Sequence, residues 1–507
     1  MPVEINGNDL TLEKIQRVAV SQEKVSLTLE ARKRVIKCRK YVDSIIKQKR
    51  TVYGLTTGFG KLTNIRIPSD QIDELQKNLI LSHSTGVGKP LSISETRAVM
   101  LLRANMLAKG FSGIRIETLE LLIELLNLKV HPLIPEKGSV GASGDLAPLS
   151  HLALILIGEG KAEHNQEILS GSEALKRVGL KPIILKAKEG LALNNGTQAM
   201  TGLAVLSYLR AVSLCKTADI SAAMSLDAML ASPQAFDPLI HRLRPHPGQL
   251  ISAQNIEMLL QNSELRDSHL NCEEVQDAYS LRCTAQVNGA VRDALKYVEN
   301  ILKIEINSVT DNPLIFPEAD KVLSGGNFHG EPLAFAGDVM SFTVSELGNI
   351  AERRCEQILN PALNRGLKPF LAPRPGLDSG FMIAQLTAAA LISENKVLAH
   401  PASVDSIPTS ANQEDHVSMG MTSILKTRQV IDNTEIILGI ELMIAAQALE
   451  NRAYKSSPIL EKIKLIIREQ VATLGKDRIL NTDIETMKKL VNSGLVVNIA
   501  QDRINLQ

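Results

Sequence analysis

Residues Met421 to about Glu450 constrain the fold most strongly, because this stretch holds no proline and a single glycine. With a 3.6-residue period, Ile424, Ile431, Leu438, Leu442 and Ala445 fall on one side of a helix, and Ile436, Ile437, Ile440 and Ile444 fall on others. A helix that is apolar nearly all round must be buried on several sides. At 1.5 Å per residue it runs roughly 45 Å, a length that suits a long bundle better than a compact globule. Oligomerisation is the expected way to cover it.

Other helices announce their own ends. Ser92 and Glu95 form an S-x-x-E capping box ahead of Thr96 to Lys109, a run that stops at Gly110. A second helix is expected from Ile114 to Lys129, halting before His131-Pro132. Between Val339 and Leu359, Met340, Val344, Leu347, Ala351, Cys355 and Ile358 mark an amphipathic helix. The better strand candidates are Thr51 to Tyr53 and Pro182 to Ala187. The expected fold is mainly α: a smaller mixed, loop-rich N-terminal domain over 1–205, then an elongated helical bundle and oligomerisation domain over 206–507. Three loop clusters, Asn307 to Gly330, Asn360 to Gly380 and His400 to Met419, interrupt the bundle. Long loops on a helical scaffold commonly carry function.

Charge and cysteine content exclude several classes. Lys plus Arg number 56 against 55 for Asp plus Glu, so no positive excess exists to neutralise nucleic acid or an anionic membrane. Five cysteines, none closer than eleven positions to another, argue against a disulfide framework and against a CxxC metal site. No stretch approaches the roughly 18 apolar residues of a membrane span, and the N-terminus lacks a basic, apolar leader. A cytoplasmic location is expected.

The most unusual segment is Gly138-Ser-Val-Gly-Ala-Ser-Gly-Asp-Leu-Ala-Pro-Leu-Ser-His151. Its glycines suggest a phosphate loop, but Asp145 stands where such a loop carries lysine. A G-x-S-x-G elbow fails as well, because the second glycine comes one residue early. A plain turn feeding a helix near Leu146, with Ser143 or Asp145 as N-cap, remains open. So does a chemical reading. If the loop is compressed, the unhindered nitrogen of Gly144 can attack the carbonyl carbon of Ala142. Loss of water from the ring and from Ser143 then leaves an exocyclic methylene, an electrophile.

Gly141-Ala-Ser-Gly-Asp-Leu-Ala-Pro-Leu-Ser-His151 resembles the signature of the aromatic amino-acid ammonia-lyases that form 4-methylideneimidazol-5-one (MIO). Six further segments, in order, are similar to the histidine ammonia-lyase branch of that family: Tyr53-Gly-Leu-Thr-Thr-Gly-Phe-Gly60, Asn195-Gly-Thr-Gln198, Gln276-Asp-Ala-Tyr-Ser-Leu-Arg282, Ser308-Val-Thr-Asp-Asn-Pro313, Gly325-Gly-Asn-Phe-His-Gly330 and Ser410-Ala-Asn-Gln-Glu-Asp-His-Val-Ser-Met-Gly420. The resemblance spans nearly the whole chain. It implies an all-helical homotetramer with active sites shared between subunits, MIO made from Ala142, Ser143 and Gly144, no soluble cofactor, and elimination of ammonia from L-histidine to give trans-urocanate, the first step of histidine breakdown.

The same resemblance assigns roles. Tyr53 is the proton acceptor, and because tyrosine titrates near 10 its activity should follow the phenolate fraction. Arg282 clamps the substrate carboxylate, Tyr279 donates near the leaving amine, Asn195 and Gln276 hydrogen-bond the MIO oxygen or substrate, and Phe328 packs beside the prosthetic group. Spacing places Gln276, Tyr279 and Arg282 on one face if this segment is helical; alternatively Arg282 pairs with Asp277 or Glu274. His83 and Glu414 read the ring, since an imidazole N–H wants an acceptor that a phenyl ring cannot use. Family members acting on phenylalanine or tyrosine tend to carry Gln or Asn at the Glu414 position. Two departures stand out: Asn194 where Leu or Ile is usual, expected to set a polar group beside the pocket, and Ala278 where histidine-specific members often have Pro. His83, His329 and His416 could gather, yet without H-E-x-x-H or close His/Cys spacing no catalytic metal site is expected. The rivals are a tyrosine or phenylalanine ammonia-lyase, an MIO aminomutase, and a catalytically inactive helical scaffold.

Overall fold

The computed structural model describes residues 2–48, 50–52, 54–58, 60–269 and 275–507. It is mainly helical, with short strands confined to four small sheets among the described residues. The chain forms two compact units. The first comprises Met1–Leu206, Glu299–Asp338 and Pro401–Leu425; the second comprises Ser207–Val298, Val339–His400 and Lys426–Gln507. The first break lies next to the expected 205/206 division, but two later segments return to the first unit. They carry the loops around Asn307 to Gly330 and His400 to Met419. Four of the five divisions fall inside helices, Gln198–Ala228, Thr284–Glu305, Glu331–Leu359 and Gly420–Glu450, and the fifth, His400/Pro401, falls in the loop after Met382–Leu398.

The first unit is built around the helix Ile93–Ala108, which starts with the capping box expected of Ser92 and Glu95. Almost every side chain of that helix is buried, including Arg97 and Arg103. Neither arginine has a carboxylate hydrogen-bond partner; both serve the carbonyl ends of other helices. Arg97 donates to Val18 O and Leu126 O, both at 2.9 Å, at the ends of Leu12–Ala19 and Ile116–Asn127. The last carbonyls of a helix lack intrahelical partners, so a guanidinium satisfies them and meets the negative end of the dipole. Strands pair locally: Val3–Ile5 runs parallel to Val25–Leu27, and His131–Pro132, Lys161–His164 and Glu167–Ser170 form an antiparallel sheet.

The strand expectations at Thr51 to Tyr53 and Pro182 to Ala187 are not met. Thr51 and Val52 are irregular, Tyr53 lies outside the described residues, and residues 182–187 are irregular backbone. Val52 N donates to the Thr56 hydroxyl, and Ile183 N donates to Leu156 O, so side-chain and loop bonds replace a ladder.

The second unit buries charges in pairs and networks. Arg354 and Glu441 are both fully buried and form two hydrogen bonds, and Glu441 also accepts from the Ser221 and Ser225 hydroxyls. Asp219 accepts from Ser252, Asn255, Asn288 and Arg292. Buried charges persist only when partnered in this way. The helix Gly420–Glu450 needs no second chain to cover it: Ile437, Leu438, Ile440, Leu442 and Ile444 are fully buried within a single chain. Within the second unit, the helix Met382–Leu398 does leave apolar side chains uncovered: Ile383 is 60%, Leu386 53% and Val397 72% exposed.

Candidate active site

The loop Gly138–Asp145 gains its shape from glycines that no other residue could replace without collision. Gly144 has φ +72°, and a Cβ there would come within 2.2 Å of Gly196 O. At Gly141, φ +70°, a Cβ would lie 2.1 Å from Ser418 Oγ. The close approaches are used: Asp145 N donates to Gly196 O at 2.7 Å, Gly196 N to Ser143 O at 3.3 Å, Met419 N to Val140 O at 2.9 Å, and Ser418 Oγ to Gly141 O at 3.1 Å. Ala142 is buried with Val417 and Met419. The Ala142–Ser143–Gly144 segment is thus held from both sides.

Asp145 occupies the N-cap position of Leu146–Leu156 but makes no side-chain cap bond. Its carboxylate instead accepts from Met200 N at 2.8 Å and Ser139 Oγ at 2.9 Å. Complete burial pushes its pKa up to about 6, against the pull of those donors. Arg103 donates to Ala192 O and Asn195 O, at 3.1 and 2.9 Å, closing the helix Glu189–Asn194 and fixing the backbone that presents Asn195. Burial lowers the Arg103 pKa to about 10. Asn195 is buried, and its Oδ1 has no hydrogen-bond partner. Arg103 escaped the sequence reading, although a charged residue inside the apolar run Thr96 to Lys109 is a legible signal, and Ser139, Gly196 and Ser418 lie in quoted segments without having been given a role.

A cavity of ≈ 1040 Å³ opens beside this loop. Its lining includes His83, Ala142, Ser143, Asn195, Phe328 and Glu414, so six of the expected site residues meet there. Ser143 Oγ donates to Glu414 Oε1 at 2.8 Å, while Glu414 Oε2 accepts from Thr409 Oγ1 at 2.7 Å and Ser410 Oγ at 2.8 Å. The turn presenting Glu414 runs Ser410, Ala411 and Asn412 through left-handed backbone, at φ 50°, 53° and 62°, and a Thr409–Glu414 bridge pins its ends. Such residues cost about 1–2 kcal/mol each. His83 ends the helix Ile72–His83; burial lowers its pKa, opposed by a backbone hydrogen bond at Leu79 and by the charge of Glu414. The described lining contains no Lys or Arg.

Asn194 does not line the cavity. It is buried, with Nδ2 donating to Ser150 Oγ at 3.1 Å, and so sets no polar group beside the pocket. Gln276, Tyr279 and Arg282 belong to the second unit and are not among the lining residues. The helix Tyr279–Arg282 is a single turn, and Gln276 precedes it in irregular backbone, so the three share no helical face. The Arg282 guanidinium lies 4.5 Å from the centroid of the Tyr279 ring, which is 71% exposed. Arg282 Nε is buried without a partner. Asp277 pairs with Arg365 rather than Arg282, and Glu274 lies outside the described residues. Ala278 sits at φ −58°, ψ 152°, the conformation a proline imposes, so its backbone keeps that course.

Residues 10–469 match the family described as aromatic amino acid lyase. A histidine ammonia-lyase of Natranaerobius thermophilus is 52% identical over 497 residues, 98% of each chain. The crystal structure of histidine ammonia-lyase from Trypanosoma cruzi is 44% identical with a TM-score of 0.92, covering 99% of this chain and 95% of that one. Tyrosine aminomutase from Streptomyces globisporus aligns over the full length of both chains with a TM-score of 0.95 at 38% identity.

Proposed function

Since the chain belongs to the aromatic amino acid lyase family, we propose that it eliminates ammonia from L-histidine, releasing trans-urocanate. The observation that carries this choice of substrate is the Glu414 carboxylate in the cavity wall, 2.8 Å from Ser143 Oγ. Glu414 is half-buried, and a substrate ring that covers its carboxylate makes it costly unless partnered; an imidazole N–H partners it where a phenyl ring does not. His83, held toward its neutral form by burial, adds a second polar group facing the same ring.

The loop fits the prosthetic group that the family builds from Ala-Ser-Gly. Gly144 has no Cβ to block its nitrogen, the loop is clamped between Gly196 and Ser418, and the orphaned Asn195 Oδ1 lies in the same wall. Ala142, Ser143 and Gly144 would form the ring, and the group supplies an electrophilic methylene that makes the substrate amine a better leaving group. Loss of the Ser143 hydroxyl during ring formation releases Glu414 Oε1, which then has a free acceptor position for the substrate imidazole. Phe328 walls the site, and Asn195, oriented by Arg103, faces the reacting region.

Removal of the side-chain proton falls to Tyr53, and Tyr279 donates near the departing amine. A substrate carboxylate needs a cation that the described cavity wall lacks. Arg282, with Gln276 and Tyr279, meets that need from another copy of the chain in a homotetramer, the oligomer toward which the exposed apolar face of Met382–Leu398 also points. The bundle of the second unit is the proposed oligomerisation domain. No helix among the described residues is long and apolar enough to cross a membrane, and a cytoplasmic site of action is proposed.

Intact mass tests the central step: the mature chain should be lighter than its sequence by two waters, and Ser143→Ala should keep the ring oxygen, lack the methylene and lose turnover. Full activity in a mass-verified Ser143→Ala protein would sink the reading. An aminomutase would instead return a β-amino acid from tyrosine, which product analysis separates from urocanate.

A further inference from the structure

Two histidines in the cavity wall, His329 and His416, and the neighbouring Glu331 are arranged in a way that ammonia elimination does not use. His329 Nδ1 and His416 Nε2 lie 3.9 and 4.0 Å from Glu331 Oε2, and all three atoms lie within 4.8 Å of one another. Both separations exceed hydrogen-bond length. Glu331 Oε2 is buried and has no hydrogen-bond partner, while the two imidazole rings lie parallel, 5.6 Å apart. A carboxylate oxygen left unpaired between two ring nitrogens lacks the positive centre that would satisfy it.

We propose that His329, Glu331 and His416 form a binding site for a divalent transition cation of the zinc class. The donor set, two imidazoles and one carboxylate, is the one borderline metals take. Bonds of 2.0–2.1 Å in a tetrahedral shell place ligand atoms about 3.3 Å apart, so each histidine must close on Glu331 by somewhat more than half an ångström, and the two histidine nitrogens, within 4.8 Å of one another, by up to about 1.5 Å. His416 is exposed on the Pro401–Gly420 loop and is free to make that movement. The tautomer is prepared: His329 Nε2–H faces His416 O at 3.4 Å, leaving the lone pair on Nδ1, toward Glu331. That nitrogen also accepts a long bond, 3.3 Å, from Glu331 N, the one contact an ion must displace. Because His329 and His416 line the same cavity as Ser143 and Glu414, the open fourth position is available to water or to a ligand there. The two histidines sit 87 positions apart and Glu331 two positions after the first, so no short-spaced metal motif marks the site.

The test uses untagged full-length protein freed of metal. CoCl₂ titration should give the intense visible bands of four-coordinate Co²⁺ at one ion per chain, and Zn²⁺ should displace it in competition with a chromogenic chelator. Glu331→Gln and His416→Ala should each weaken binding at least tenfold, while His246→Ala, an exposed histidine elsewhere, leaves it unchanged. His416 lies on an exposed loop, so its loss does not threaten the fold. Binding that is equal in wild type and both site variants, or only the weak bands of six-coordinate Co²⁺, overturns the proposal.

Discussion

Glu414→Gln isolates the group proposed to read the substrate ring. In the chain as folded, Glu414 Oε2 is taken by Thr409 and Ser410, and Oε1 by Ser143. Once Ser143 has lost its hydroxyl, Oε1 is left for the substrate. A hydrogen bond to a charged acceptor contributes about 1.5–3 kcal/mol. The amide keeps the shape but loses the charge, and its oxygen is still wanted by the Thr409 and Ser410 hydroxyls, so its NH₂ turns toward the ring. Most of the charge-assisted bond is forfeited, which corresponds to a fall of about 10- to 150-fold in kcat/KM for histidine. For phenylalanine and tyrosine the same change removes a charge whose Oε1 their rings would desolvate without bonding, so their kcat/KM should rise. Product absorbance with all three amino acids gives the ratios, and intact mass must first show that the variant has lost both waters, because Glu414 touches Ser143 beforehand. A mature Glu414→Gln enzyme within about threefold of wild type on histidine would refute the reasoning and place ring recognition elsewhere.

Arg103→Met leaves the carbonyls of Ala192 and Asn195 unsatisfied in a dry core, at a cost of about 1–3 kcal/mol each; a lower Tm together with a lower kcat is expected, and a normal kcat would mean that Arg103 does not position Asn195. Asp145, with its pKa raised to about 6, holds its proton more tightly folded than unfolded, so its contribution to stability is present below about pH 4 and lost as pH rises to about 6. Denaturation midpoints of wild type and Asp145→Asn should therefore diverge in pH slope between those values, by roughly 3 kcal/mol in all, and parallel profiles would contradict the assignment. Arg282→Lys should raise KM by losing the two-pronged grip on a carboxylate, whereas Tyr53→Phe should collapse kcat with KM largely kept; steady-state kinetics distinguish the two.

Helix ends were legible wherever local chemistry fixed them. Ser92 and Glu95 form their box, and Gly110 closes that run at φ +82°. The loop Gly138–Asp145 was legible from its glycines, and Gly141 and Gly144 do sit where a Cβ would collide. Unit boundaries were not, since all but the one at His400/Pro401 lie within continuous helices. The strand expected at Pro182 to Ala187 failed because a run of β-branched and apolar residues also suits irregular chain packed on a helix. Gln276, Tyr279 and Arg282 looked co-facial by spacing alone, but the helix begins only at Tyr279. The gathering of His83, Asn195, Phe328 and Glu414 around Ser143 was anticipated from motif likeness; periodicity contains no trace of it.

The clamp on the reactive loop also has a timetable. Gly141 is held by Ser418, 277 positions later, and Ser143 by Glu414, 271 positions later. A nascent chain emerges at about 5–20 residues per second, so the Ala142–Ser143–Gly144 segment spends many seconds outside the ribosome before its far restraint exists. Until then the loop has only its nearer restraint, Gly196, which bonds Asp145 N and Ser143 O. If the ring forms as proposed, its closure acts as a proofreading signal: a chain truncated before residue 418 is expected to keep its full mass, and loss of two waters would report that the segment carrying Ser418 has docked on the loop.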